Sequence, residues 1–280
     1  HRENMITLLH SEGENEVNGL PSVVCHRVKQ NDHLWRSASH DEIVYFDFEM
    51  ANPCDMLMEN EMNSYERIVP EVDIDVSRLF LIGMGRFSST GEWIYESFVA
   101  TELSRDGERE CLKSWLHRLH ELAADMKGRK RPLLLTCWGP ERALIKALKK
   151  TYSNPSQKIL WKLFDRRKVE VVDVLEDIVR KSDFAIRGAF DNRLKSVYRA
   201  VQRLKSKTME GVEPVKDEDD LNMLVLSDVL DVLNIALHGY AHSHHVESVE
   251  ETLWMKKIMN YNELDCKMTA EVMDYLRKNH

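Results

Sequence analysis

Glu42-Ile43-Val44-Tyr45-Phe46-Asp47-Phe48-Glu49-Met50 is an apolar, β-forming run that carries two carboxylates near its end. Residues two apart on a strand point to the same face. Asp47 and Glu49 are therefore predicted to stand side by side among apolar neighbours. Like charges that close repel, and burial raises the cost. A hard divalent cation such as Mg²⁺, which takes oxygen ligands, relieves it. The same residues also read as a strand with an acidic solvent face.

The chain around this run has 280 residues, enough for one large domain or two small ones with a sizeable core. Hydrophobic content of 43% and charged content of 31% are those of a soluble globular protein. No apolar run approaches the ~20 residues that span a bilayer, and the polar start shows no secretory leader. Five cysteines, odd in number and without a Cys-x-x-Cys pair, point to reduced thiols in an intracellular compartment, cytoplasmic or nuclear. A first residue of His1 suggests a piece of a longer polypeptide or complex. The net charge of -8 argues against nucleic-acid binding through a uniformly basic surface. It leaves room for a nuclease whose acids are neutralised by metal.

Residues 1–40 lack periodicity and read as an N-terminal arm, packed on the core or partly disordered, with at most a short strand at Val23-Val24-Cys25. Residues 51–75 read as an acidic loop flanking the first strand. Arg78–Gly85 and Glu92–Val99 read as strands joined in a hairpin through Ser88, Thr90 and Gly91. Leu112, Trp115, Leu116, Leu119 and Leu122 mark a helix over Glu108–Met126. Leu133–Trp138 is a buried-type strand closed by Gly139-Pro140, and Glu141–Lys150 is a helix. Val169–Asp173 is the last strand. Val174–Lys181, Asn192–Lys205, Asp217–Leu237 and Ser248–Lys278 are predicted helices. The expected fold is α/β, a mixed five-stranded sheet flanked by helices over 41–280, with a helical insertion around 208–246.

Further acids lie where they could join the first pair. Glu141 opens a helix, although acids favour helix N-termini for the dipole alone. Tyr261 and Asp265, four apart, share one helix face, and the same spacing is ordinary on a helix surface.

In this order, these motifs resemble the DEDD superfamily of RNase H-like 3′–5′ exonucleases, tyrosine subclass. Asp47-Phe48-Glu49 is similar to the first motif, and Tyr261-x-x-x-Asp265 to the third. The nearer likeness is to the RNase H-like domain of RecB-type nucleases. There an apolar strand, an aromatic and a helix-opening glutamate form the middle motif, as in Leu134-Leu135-Thr136-Cys137-Trp138-Gly139-Pro140-Glu141. Tyr261-Asn262-Glu263-Leu264-Asp265-Cys266 is close to that family's Tyr-Asn-x-x-Asp signature. Asn192-Arg193-Leu194-Lys195 loosely matches its serine-leucine-lysine helix start. The chain departs from most DEDD enzymes in lacking the usual second-motif aspartate. Asp173 is the alternative should Glu141 not serve.

The resemblance implies an RNase H-like sheet and phosphodiester hydrolysis at a single-stranded 3′ end of DNA or RNA. It implies two Mg²⁺ or Mn²⁺ ions held by Asp47, Glu49, Glu141 and Asp265. Tyr261 would orient the attacking water, since a phenol with a pKa of ~10 is a poor base. Lys195 is the expected phosphate contact, and Phe48, Trp138 and Phe190 are candidates to stack a terminal base, with core packing expected for two of the three. The basic groups Lys127–Arg131, Arg166-Arg167-Lys168 and Arg199, Arg203, Lys205, Lys207 are further phosphate candidates or solvated faces. His238 and His242 have helical zinc-pair spacing without the other expected ligands. Two rival readings stand beside the exonuclease. One is a catalytically weak binding or docking module of a larger machine, the other an RNase H-like endonuclease or transposase-type core.

Overall fold

The structure, a computed structural model, describes residues 23–24, 38–51, 77–126, 131–152, 155–181, 185–186, 188–208, 229–242 and 246–279. Most of the N-terminal arm, the acidic loop at 52–76, the basic turn at 127–130 and most of the expected insertion lie outside these residues.

The strands are β1 (Val23–Val24), β2 (Ile43–Ala51), β3 (Arg78–Phe87), β4 (Trp93–Val99), β5 (Leu133–Cys137), β6 (Val169–Asp173) and β7 (Ala185–Ile186). The helices are α1 (Arg105–Asp125), α2 (Glu141–Thr151), α3 (Pro155–Asp165), α4 (Leu194–Thr208), α5 (Val229–His242) and α6 (Leu253–Asn279). Five strands form one mixed sheet in the order β4-β3-β2-β5-β6. The β2-β3-β4 meander is antiparallel, while β5 runs parallel to β2, and β6 to β5. This is the mixed, helix-flanked sheet expected of the sequence. β1 pairs antiparallel with β7 in a separate two-stranded ribbon, so the Val23-Val24 strand forms.

β2 is central because both of its faces are apolar. Val44, Phe46 and Phe48 face a core shared with Leu112, Trp115, Leu116 and Leu119 of α1. Ile43 and Tyr45 face a second core with Val197, Ala200 and Val201 of α4 and Cys266, Ala270 and Met273 of α6. Burying each large apolar side chain contributes about 1.5–3 kcal/mol. That sandwich therefore holds α6 against the face that also carries Asp47 and Glu49.

α1 starts three residues before the expected Glu108. Ser104 caps it by accepting from Gly107 N at 3.0 Å, which satisfies one of the free amides of the first turn. Glu108 itself is buried and accepts from Leu79 N at 2.9 Å and from the Tyr152 hydroxyl. α3 was not among the expected helices. Its signals are a proline in the first turn and the buried Trp161 and Leu163. Val174–Arg180 winds as a π-helix capped by Asp173, which accepts from Glu176 N at 3.0 Å. No helix among the described residues is long and apolar enough to cross a membrane.

Candidate active site

Asp47 and Glu49 extend beyond the stretch of β2 that pairs with β5, on the side where β5 and β6 end. Ligand sites in open α/β sheets gather at such strand ends. The β2-β3 register shifts just after Glu49, a bulge of the kind often found beside active sites. Across the ladder from Asp47 stands Gly83, and α6 passes close over both. Asn262 of α6 reaches between the two carboxylates. Its Nδ2 donates to Asp47 Oδ2 at 2.9 Å, to Glu49 Oε1 at 3.2 Å and to the Asp47 carbonyl at 3.4 Å.

Glu141 arrives from the next parallel strand. Gly139, at φ 117°, adopts a conformation that side chains rarely allow, and Pro140 then starts α2 with Glu141 as its first residue. Glu141 is buried, its charge helps raise the Asp47 carboxyl, and its Oε2 has no hydrogen-bonding partner. Asp265 lies one turn after Tyr261 on α6. The Tyr261 hydroxyl helps hold its pKa down, and its Oδ1 also has no partner. Lys195, in the first turn of α4, donates to the Tyr261 hydroxyl at 3.2 Å and sits 4.5 Å from the centre of that ring. The structure thus brings Asp47, Glu49, Glu141, Tyr261, Asp265 and Lys195 into one neighbourhood.

The acids pay electrostatically for that proximity. Burial, then the charges of Glu49, Glu141 and Asp265, hold the Asp47 carboxyl well above its ordinary range. Burial pushes Glu49 up to about 7, against the opposing hydrogen bond from Asn262. Glu141 also rises to about 7, chiefly through burial. Asp265 rises to about 6 through burial, moderated by Lys195. Burial, with Asp265, Glu49 and Asp47 beside it, drives the Tyr261 phenol upward, so it stays protonated and is a donor, not a base.

Compared with protein-family models, curated proteins and solved structures, the chain finds no match. The chemistry of its own residues is what bears on a metal. Among the described residues, no three His, Cys, Asp or Glu side chains stand as a compact ligand group. The four carboxylates interact, but their oxygens do not converge on one point. Their donor chemistry nevertheless suits a hard divalent cation. They offer only oxygens, two of those oxygens are buried without partners, and their charges repel.

Asp173, the alternative to Glu141, is otherwise engaged. It caps the π-helix and faces Arg142 Nη2 at 3.7 Å. Phe48 requires a correction. It points to the face opposite the acids, where its ring meets Phe46 at 5.1 Å and Trp115 at 5.4 Å, and it is only 7% exposed. It is a core residue with no free face for a base. Trp138 is half-buried, and its Nε1 donates to the Asn192 carbonyl at 3.0 Å, tying the loop before α4 to the turn before Glu141. Phe190, on that loop, is 68% exposed.

The basic groups divide by position. Arg131 and Arg166-Arg167-Lys168 lie just before β5 and β6, at the far end of those strands from the acids. Lys205 is paired with Glu271 at 3.1 Å. Lys127–Lys130 and the Lys207 side chain lie outside the described residues. His238 and His242 stack at 6.3 Å, and His242 Nδ1 bonds the His238 carbonyl at 2.8 Å. Gly239 between them is where Trp254 crosses α5; a Cβ there would meet its ring at 2.3 Å.

Sequence reasoning assigned no role to Asn262, Tyr95 or Gly83. The available signal was a glycine inside a strand, which often marks close approach by another chain segment.

Proposed function

We propose that this chain is a metal-dependent nuclease that hydrolyses phosphodiester bonds, acting 3′–5′ on single-stranded ends of DNA or RNA. One observation carries the reading. Asp47, Glu49, Glu141 and Asp265, from three separate segments of the chain, share one buried neighbourhood in which each carboxyl is held above its ordinary pKa. Such shifts cluster at functional sites.

Asp47, Glu49, Glu141 and Asp265 would hold Mg²⁺ or Mn²⁺. Bound ions supply an activated water and stabilise charge on the leaving oxygen. Tyr261, neutral and one helical turn from Asp265, can position a water. Lys195 brings positive charge beside the acids and is suited to a substrate phosphate. Phe190 offers an exposed ring on a loop tied at Asn192 to Trp138 and continuing into Lys195, a placement suited to stacking a terminal base. Free, buried Cys111, Cys137 and Cys266 fit an intracellular protein.

The test is a 5′-labelled single-stranded oligonucleotide incubated with the chain and Mn²⁺. Stepwise shortening from the 3′ end is expected. Internal cuts would make it an endonuclease, and binding without cleavage would leave a docking module.

A further inference from the structure

The Asn262 amide is held at both ends. Its Nδ2 is the donor shared by Asp47 and Glu49. Its Oδ1 accepts from the Tyr95 hydroxyl of β4 at 3.1 Å. An amide has one accepting and one donating end. A hydroxyl donating to Oδ1 therefore fixes Nδ2 toward the carboxylates. The space for this arrangement exists because residue 83 is glycine. A Cβ there would fall 1.5 Å from Asn262 Oδ1 and 2.7 Å from the Tyr95 oxygen. Asn262 is fully buried, so neither of its ends has water as a substitute.

We infer that Asn262, oriented by Tyr95 and admitted by Gly83, is a positioning residue that sets the Asp47 and Glu49 carboxylates for a divalent cation. This rests on the metal-site reading above. Asn262 engages one oxygen of each carboxylate and so fixes how each carboxylate is turned. It also neutralises part of the repulsion between them, so the pair holds its orientation while the cation is absent. Partners that orient metal ligands typically contribute 10–100-fold in affinity.

The test is Mn²⁺ binding to the full chain by titration calorimetry, without nucleic acid, alongside melting temperatures in EDTA. Asn262→Leu fills the space without a donor, and Tyr95→Phe removes only the hydroxyl that orients the amide. Asn262→Leu is expected to weaken Mn²⁺ binding about 10–100-fold. Tyr95→Phe should weaken it by a smaller factor with a melting temperature close to wild type. Should Asn262→Leu fail to fold, Tyr95→Phe still decides. Wild-type affinity in Tyr95→Phe, or in a folded Asn262→Leu, overturns the inference while leaving the metal-site reading intact. A wild-type chain that takes up no Mn²⁺ removes that reading, and this inference with it.

Discussion

Lys195 Nζ donates to the Tyr261 hydroxyl at 3.2 Å, joining the first turn of α4 to α6 across 66 positions of sequence. The same cation lowers the pKa of both Glu49 and Asp265. It therefore balances charge in the site as well as holding the phenol. Charge-assisted hydrogen bonds contribute roughly 1.5–3 kcal/mol. On the nuclease reading, Lys195→Met should reduce kcat/KM about 10–100-fold, mostly through KM if the ammonium meets phosphate. Steady-state kinetics on a labelled oligonucleotide would separate the two constants. A fall confined to kcat would assign Lys195 to Tyr261 alone.

Tyr261→Phe removes the hydroxyl near Asp265 and the acceptor for Lys195 while keeping the ring. A rate loss of roughly tenfold, about 1.4 kcal/mol, is expected from one such hydrogen bond, with Mn²⁺ affinity retained. Because the phenol stays protonated, the wild-type pH–rate profile should show no limb that vanishes in the variant. A base-like limb that disappears in Tyr261→Phe would contradict the positioning role.

Asp47→Asn keeps the shape and removes one charge from the centre of the four acids. Nucleolysis should be lost. Melting temperature in EDTA at pH 8 should equal or exceed that of wild type, since less repulsion is buried. A collapse of stability at that pH would make Asp47 structural.

The acids also predict how stability responds to pH. Their raised pKa values mean that the folded chain keeps protons which the unfolded chain releases. The stabilising contribution is complete below the unfolded carboxyl pKa of about 4. It is lost as pH climbs through about 6 for Asp265 and about 7 for Glu49 and Glu141. In EDTA, wild type should lose more melting temperature between pH 5 and 8 than an Asp47→Asn, Glu49→Gln double variant, which keeps only Glu141 and Asp265 of the four acids. Added Mn²⁺ should recover most of it at pH 8 and little at pH 5. Parallel curves for the two proteins would show that these groups do not titrate there.

Phe48→Ala tests the core assignment. Removing a buried ring packed on Trp115 should cost about 3–5 kcal/mol, read from denaturant unfolding. At a temperature where the variant stays folded, its KM for oligonucleotide should match wild type. A raised KM with little loss of stability would return Phe48 to the substrate.

Much of this was legible in the residues because it depends on local periodicity. The alternation of Phe46 and Phe48 against Asp47 and Glu49 needs only the two-residue repeat of a strand. The Tyr261–Asp265 pairing needs only the helical turn. The Gly139-Pro140 break placed Glu141 at a helix start. Phe48 was misread because an aromatic beside two acids in sequence lies on the opposite face in space. The basic groups before β5 and β6 kept two readings in the sequence because chain proximity to a strand does not say which end of it carries the site. Asn262 passed without a role because its partners, Asp47 and Tyr95, lie 215 and 167 positions away.

By itself the sequence determined most of the elements, the mixed sheet and the candidate acids, since each follows from short-range pattern and side-chain chemistry. Only the tertiary structure decided which of those acids are neighbours and what lies between them. That outcome depends on α6 packing over β2 and β3 closely enough for a side chain to occupy the space above Gly83. Such a contact is set by the burial of two apolar faces far apart in the chain, and no local pattern encodes it.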